Sequence, residues 1–276
     1  MKNNRIYYPK LSNTDLGWVR IGGPGLANCM FFVAKAYVNY LNDTSNNKTF
    51  ISPTWRKFSV GPIIRKERDK RVYSNLFKKD GVSGLKKIWY LTLMKSHGAQ
   101  IQIFDSLGSY FTDILPYREV ISNYFLSIVN KKTLNFNTKE LKGKIAIHVR
   151  LGDYNTNQRI PLVWYKNLIL NILKINPNQE FALFSDGSDE ELSDLLEIKN
   201  ITRHFYGNAF ADMFAISLCK LVIASDSTFS AWGAFLGGVP LIFNRRHFPE
   251  VFQDKTKEFV LKDSFEFPKE LEYLII

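Results

Sequence analysis

Between Lys144 and Tyr154 the chain reads Lys-Ile-Ala-Ile-His-Val-Arg-Leu-Gly-Asp-Tyr, an apolar, β-branched run that ends in His148, Arg150, Gly152 and Asp153. Such a run is what a buried strand requires, and it puts charge where the strand stops. An arginine at a strand tip of an open α/β sheet is placed to clamp an anion, and the neighbouring His148 and Asp153 are placed to move a proton. The same residues also serve as a structural ion pair closing a sheet edge. The stretch by itself does not separate the two uses.

Two further apolar runs end in the same way. Phe181-Ala-Leu-Phe184 leads into Ser185-Asp186-Gly187, and Leu221-Val-Ile-Ala224 into Ser225-Asp226-Ser227-Thr228. In a parallel sheet these ends share one rim, so groups far apart in sequence converge. Ser227 and Thr228 open a helical stretch whose free N–H groups and dipole favour phosphate, although plain capping also explains a Ser or Thr there. Asp186 accepts two N–H donors from a flat ligand edge, or caps the helix that follows. Phe229 and Trp232 read as core. There is no Asp-x-Asp pair, and His97, His148, His204 and His247 lack ligand spacing, so neither a metal nor another cofactor is expected. An anion leaving such a site needs a protein cation, and Arg150 is the candidate.

The elements that must position these groups alternate regularly. Strands are predicted at 144–149, 181–184, 203–206, 221–224 and 239–243, with helices near 164–175, 189–198, 210–218 and 228–236 between them. This pattern predicts a parallel sheet with helices on both faces. Residues 130–143 are polar and rich in Lys and Asn, as a linker would be. The boundaries expected are 1–140 for a basic N-terminal domain, 141–257 for a ligand-binding domain, and 258–276 for a segment packing back on the first.

In the first half, Trp18–Ile21 reads as a strand, Gly22-Gly-Pro-Gly25 as a turn, and the run from Leu26 to Leu41 as a helix. The layout is that of a phosphate loop without the Walker ending, and glycines needed for a tight turn and close packing explain it better. Asn28 stands early in that helix, where an amide can face a ligand. Residues 108–128 read as an aromatic loop entering a helix at Pro116, and 65–71 as a solvated charge run.

The chain has 276 residues, 45% of them hydrophobic, enough for one large or two medium domains. No apolar run reaches the ~20 residues of a membrane helix and the first residues lack a signal peptide's apolar centre, so a cytoplasmic location is expected. Cys29 and Cys219 form neither a disulfide framework nor a zinc spacing. The net charge of +11 is uneven: residues 1–140 hold 22 Lys/Arg against 9 Asp/Glu, and the remainder 15 against 17. A basic half suits nucleic acid or an anionic membrane leaflet. No aromatic RNP motif, GXXG loop or zinc knuckle is present, so nucleic acid is not the expected partner.

Four blocks in order give the chain a likeness. Gly25-Leu-Ala-Asn-Cys-Met-Phe31, Tyr110-Phe-Thr-Asp with Pro116-Tyr117, His148-Val-Arg-Leu-Gly-Asp-Tyr154, and Asp212 with Ser227-Thr-Phe-Ser-Ala-Trp-Gly-Ala-Phe-Leu236 resemble the inverting, GDP-fucose-dependent α-1,2-fucosyltransferases of glycosyltransferase family 11. Phe184-Ser-Asp186 lies between the last two blocks, which are the specific ones. The resemblance spans about residues 22–240. It implies an α/β fold of the GT-B kind, two Rossmann-like domains facing a central cleft, with the donor on the C-terminal domain and no metal. By position, Arg150 would bind the diphosphate, His148 the donor nearby, Ser227 and Thr228 phosphate, and Asp186 the guanine, with Asn28 completing the GDP-fucose set. Arg150, His148 and Asp153 are the expected catalytic group, with Asp153, the nearest carboxylate by sequence, as base. The acceptor implied is a galactose-terminated, lipid-linked bacterial glycan, reached at an anionic membrane surface. Leu151 stands where the family has a second arginine, and Ala27 and Cys29 replace its Gly and Gln.

Overall fold

The computed structural model describes residues 4–64, 71–152, 159–262 and 266–276. The chain divides into two compact units: residues up to Leu134 with Asn208–Phe210, and Asn135–Gly207 with Ala211–Ile276. Parallel sheets with helices connecting their strands make both units α/β, the two-unit composition of a GT-B-like chain.

Unit 1 contains β1 (Arg5–Pro9), β2 (Thr14–Asp15), β3 (Arg20–Ile21), α1 (Leu26–Asn42), β4 (Lys48–Phe50), β5 (Lys57–Phe58), α2 (Gly61–Ile64), α3 (Leu85–Ser96), β6 (Gln100–Phe104) and α4 (Arg118–Ile128). Its parallel sheet runs β4-β1-β6. The Gly22–Gly25 turn is folded around an arginine: the fully buried Arg20 guanidinium donates to the carbonyls of Gly22 (2.5 Å) and Pro24 (3.1 Å) and touches the Cys29 sulfur at 3.3 Å. Carbonyls that a tight turn would otherwise bury unpaired are thereby satisfied. Ala27 and Cys29 are both buried, and Cys29 is the one that meets Arg20. The predicted strand over Trp18–Ile21 shortens to Arg20–Ile21, and α4 starts at Arg118, after a 3₁₀ turn that holds Pro116.

Unit 2 contains β7 (Ile145–Val149), α5 (Leu162–Ile175), β8 (Phe181–Ser185), α6 (Ser193–Leu196), β9 (Ile201–Arg203), α7 (Ala209–Ile216, its first residues grouped with unit 1), β10 (Leu221–Ala224), α8 (Thr228–Gly237), β11 (Leu241–Phe243), β12 (Glu258–Val260) and α9 (Lys269–Ile275). All pairings are parallel and the order is β12-β11-β10-β7-β8-β9. Numbered by succession, this is 6-5-4-1-2-3, the doubly wound Rossmann order. β7 is central and buried along its whole length, which explains its uninterrupted apolar character up to His148.

Two expectations are corrected. Residues 258–276 belong to unit 2: β12 covers the backbone edge that β11 would leave unpaired, and Leu271 and Ile275 enter the core of Ile145 and Trp164. The strand placed at 203–206 ends at Arg203, whose guanidinium turns back to the Gly187 carbonyl at 2.5 Å. The division between the units, after Leu134, falls inside the polar stretch 130–143, which carries short 3₁₀ turns and the fully buried Leu141.

Candidate active site

In a doubly wound sheet, chain connections leave in opposite directions at one point of the strand order, and the crevice there opens at the carboxyl ends of the strands. Here that point lies between β7 and β10. His148, at the end of β7, and Ser225, just past β10, bridge it: His148 Nδ1 and Ser225 Oγ lie 2.7 Å apart. The imidazole is 5% exposed and stacks on Phe229 at 5.0 Å between ring centroids. Burial, reinforced by the Arg150 charge, outweighs the opposing pull of Asp186 and pushes its pKa down to about 3. At neutral pH His148 is therefore an uncharged hydrogen-bonding group.

Arg150 follows directly after the end of β7. Its guanidinium is ion-paired with Asp186 at the end of β8. The other Asp186 oxygen accepts the Leu151 N–H at 2.8 Å, so this carboxylate orients the arginine and ties two strand tips together. Gly152 closes over the pair: a Cβ there would collide with the Asp186 carboxylate. Leu151, at the family's second arginine position, turns into the core of unit 2.

Ser227 is the N-cap of α8, its Oγ accepting the Phe229 N–H at 3.2 Å, and Thr228 is half-buried at the helix's first position. The capping role weighed from sequence is the one the Ser227 side chain performs. The start of α8 sets main-chain N–H groups and the positive end of its dipole beside the switch point. His148, Arg150, Asp186, Ser227 and Thr228 are thus gathered on one rim of unit 2. Asn28 lies in unit 1, half-buried in the first turn of α1. Asp153 falls outside the described residues. Among the described residues no group of three or more His, Cys, Asp or Glu side chains is arranged to hold a metal ion.

Sequence reading missed a second group on this rim. Asp226 Oδ1 accepts from the His247 backbone N–H (2.9 Å) and lies 2.6 Å from His247 Nδ1, and Arg245 Nε is 3.8 Å from its other oxygen. The hydrogen bond to Asp226 holds the His247 imidazole above its ordinary pKa. The signal was available: Asn244-Arg-Arg-His247 follows the apolar strand β11 just as His148 and Arg150 close β7.

The model of the family described as glycosyl transferase family 11 matches residues 48–258. The chain belongs to glycosyltransferase family 11. This agrees with the likeness carried by the His148–Tyr154 and Ser227–Leu236 blocks. Over 159 residues the chain is 28% identical to the O-antigen biosynthesis glycosyltransferase WbnK of Escherichia coli, an alignment covering 52% of this chain and 47% of WbnK. It spans about half the length of that curated relative. Among solved structures, NodZ α-1,6-fucosyltransferase soaked with GDP-fucose aligns with 87% of this family 11 chain and 94% of its own, at 11% identity and a TM-score of 0.48. The UDP-GlcNAc 2-epimerase of Methanocaldococcus jannaschii aligns with 93% of this chain and 67% of its own, at 13% identity and a TM-score of 0.39. Among the described residues no helix is long and apolar enough to cross a membrane.

Proposed function

We propose that this chain is a fucosyltransferase that moves L-fucose from GDP-β-L-fucose, with inversion, to a galactose hydroxyl of a bacterial surface-glycan precursor, forming an α-1,2 linkage. The observation that carries the reading is the constellation at the switch point of unit 2, where Arg150 is held by Asp186 beside neutral His148 and the start of α8, in a chain of family 11. The O-antigen biosynthesis role of WbnK supports a surface glycan as product.

In the proposed reaction the acceptor oxygen attacks fucose C1 from the face opposite GDP. The bond from C1 to the β-phosphate oxygen breaks, and its electron pair leaves with GDP through an oxocarbenium-like state. Negative charge grows on the diphosphate, and Arg150 with the α8 N–H groups meets it without reorganising. His148 positions the donor by hydrogen bonding, since its low basicity keeps it from carrying a proton at neutral pH. The acceptor's proton passes to a base, for which Asp153 is the nearest carboxylate by sequence. Ser227 and Thr228 hold phosphate through the start of their helix. The proposal needs no metal, and it places the protein in the cytoplasm, its basic half drawn to the anionic inner leaflet where lipid-linked acceptors reside.

Purified protein incubated in EDTA with β-galactosides and either GDP-fucose or GDP-mannose tests this reading. GDP release with GDP-fucose alone, and an α-1,2-linked product by NMR, is the expected result. Turnover of GDP-mannose instead, or a product linked elsewhere, would replace the donor or the linkage. Activity that EDTA abolishes and a divalent cation restores would overturn the metal-free scheme.

A further inference from the structure

Unit 1 holds a cavity of about 430 Å³ that the donor chemistry above does not use. Its walls combine two kinds of side chain. Trp18 (half exposed), Trp55 and Tyr73 supply aromatic surface, and Arg56, Lys78 and Lys79 supply three exposed cations. No described residue of the lining is Asp or Glu, and no carboxylate among the described residues pairs with these three cations. Asp80, the next residue along the chain, lines a separate cavity. Trp55 is 6% exposed, and its indole N–H has no hydrogen-bond partner among the described residues. A buried donor of this kind is satisfied in most proteins.

The wall is built rather than incidental. Arg71, Tyr73 and Asn75 all take left-handed backbone conformations (φ 54°, 55° and 60°), which non-glycine residues rarely adopt. The surroundings hold this segment in place. The Lys57 N–H donates to the Val72 carbonyl at 2.7 Å, the Lys78 N–H to Ile128 at 2.6 Å, and the Leu26 N–H to the Tyr73 hydroxyl at 3.1 Å. Beneath it, the buried Lys87 ammonium is neutralised by Asp15 at 2.6 Å and bonded to Thr54 at 2.9 Å. The base of the cavity is therefore fixed while its rim carries unbalanced positive charge.

Flat aromatic faces stack on the apolar C–H face of a sugar ring, and unpaired cations beside them select a negative charge. We infer that this cavity binds a saccharide bearing an anionic group, with the ring against the half-exposed Trp18 and the anion at Arg56, Lys78 and Lys79. This deepens the proposed function by naming the acceptor as acidic, and it rests on that reading only for the word acceptor. The charge has two sources with one chemistry, a carboxylate on the sugar itself or the phosphate through which a sugar joins its carrier.

The test uses the whole chain and saturation-transfer NMR with methyl β-galactoside, its C6-carboxylate (the galacturonate) and galactose 1-phosphate, alongside inorganic phosphate and a separate GDP titration. At least one anionic sugar is expected to bind tenfold or more tighter than the neutral glycoside. Preference for the galacturonate assigns the charge to the sugar, and preference for galactose 1-phosphate assigns it to the carrier linkage. The exposed-residue variant Arg56→Gln/Lys78→Gln/Lys79→Gln should bring the anionic and neutral sugars within about twofold, and Trp18→Ala should weaken both, with GDP affinity unchanged in each. Equal binding of neutral and anionic sugars, a preference that survives loss of the three cations, or inorganic phosphate binding as tightly as the sugar would overturn the inference. If GDP binds normally while these results appear, the inference fails and the donor-site reading stands. If the anionic sugar binds and GDP does not, the donor-site reading fails and the cavity assignment stands.

Discussion

The sharpest test of the site is the Arg150–Asp186 pair. The side chains are 21% and 27% exposed, so the pair is partly shielded, and a second Asp186 oxygen is spent on the Leu151 N–H. Asp186→Asn keeps an oxygen for that N–H but removes the charge that orients the guanidinium. A freed arginine regains up to about 2 kcal/mol of rotamer entropy, which must be lost again when it meets the diphosphate. That is a factor of about 30 in rate. The same change leaves Arg150 less neutralised, so its bare attraction for the donor grows and KM for GDP-fucose should hold or fall; the loss then sits in kcat. Arg150→Lys removes the planar fork and should cost about 10²–10³ in kcat, the scale of one transition-state donor. Because Asp186 acts through Arg150, the double variant should be little slower than Arg150→Lys alone. The assay is GDP release at varied donor concentration, with thermal unfolding to confirm that both variants fold. Losses that multiply in the double variant, together with reduced preference for GDP over other nucleoside diphosphates in Asp186→Asn, would refute this account and return Asp186 to the guanine.

Other outcomes follow from the same geometry. Gly152→Ala should cut turnover about tenfold while leaving the unfolding midpoint nearly unchanged, because the new methyl group displaces the Asp186 carboxylate at a solvent-facing tip; full activity would show that the pair tolerates the shift. His148 has a folded pKa near 3, below its unfolded value, so protons bind preferentially to the unfolded chain and stability is lost as pH falls from about 6.5 toward 3. Urea unfolding should show this as up to about 1.4 kcal/mol per pH unit in that window, absent from His148→Asn; equal pH slopes would mean that the imidazole is not buried neutral. Lys87→Met strands Asp15 in the core of unit 1 (side chains 1% and 8% exposed) and should destabilise by about 3–5 kcal/mol, partly recovered by adding Asp15→Asn. The His247 imidazole should titrate above its ordinary pKa by NMR and move down in Asp226→Asn; no movement would dissolve that pair.

What the sequence determined by itself is whatever is written in local pattern. Strands such as Ile145–Val149 and Leu221–Ala224 are readable because a strand buried on both faces needs continuous apolar residues, and the polar tips beyond them mark where burial ends. The His148–Tyr154 and Ser227–Leu236 blocks carried the family as well. The tertiary structure decided how the tips combine. Strand order alone puts Ser225 against His148, 77 residues away, and no local signal distinguishes an Asp186 that orients Arg150 from one that waits for a base. The Gly22–Gly25 turn is similar: its glycines are visible in the sequence, but that Arg20 fills it is a packing fact. Polar side chains carry no periodicity that names their partner, so burial and pairing of charge appear only once the sheet brings distant residues within hydrogen-bonding distance.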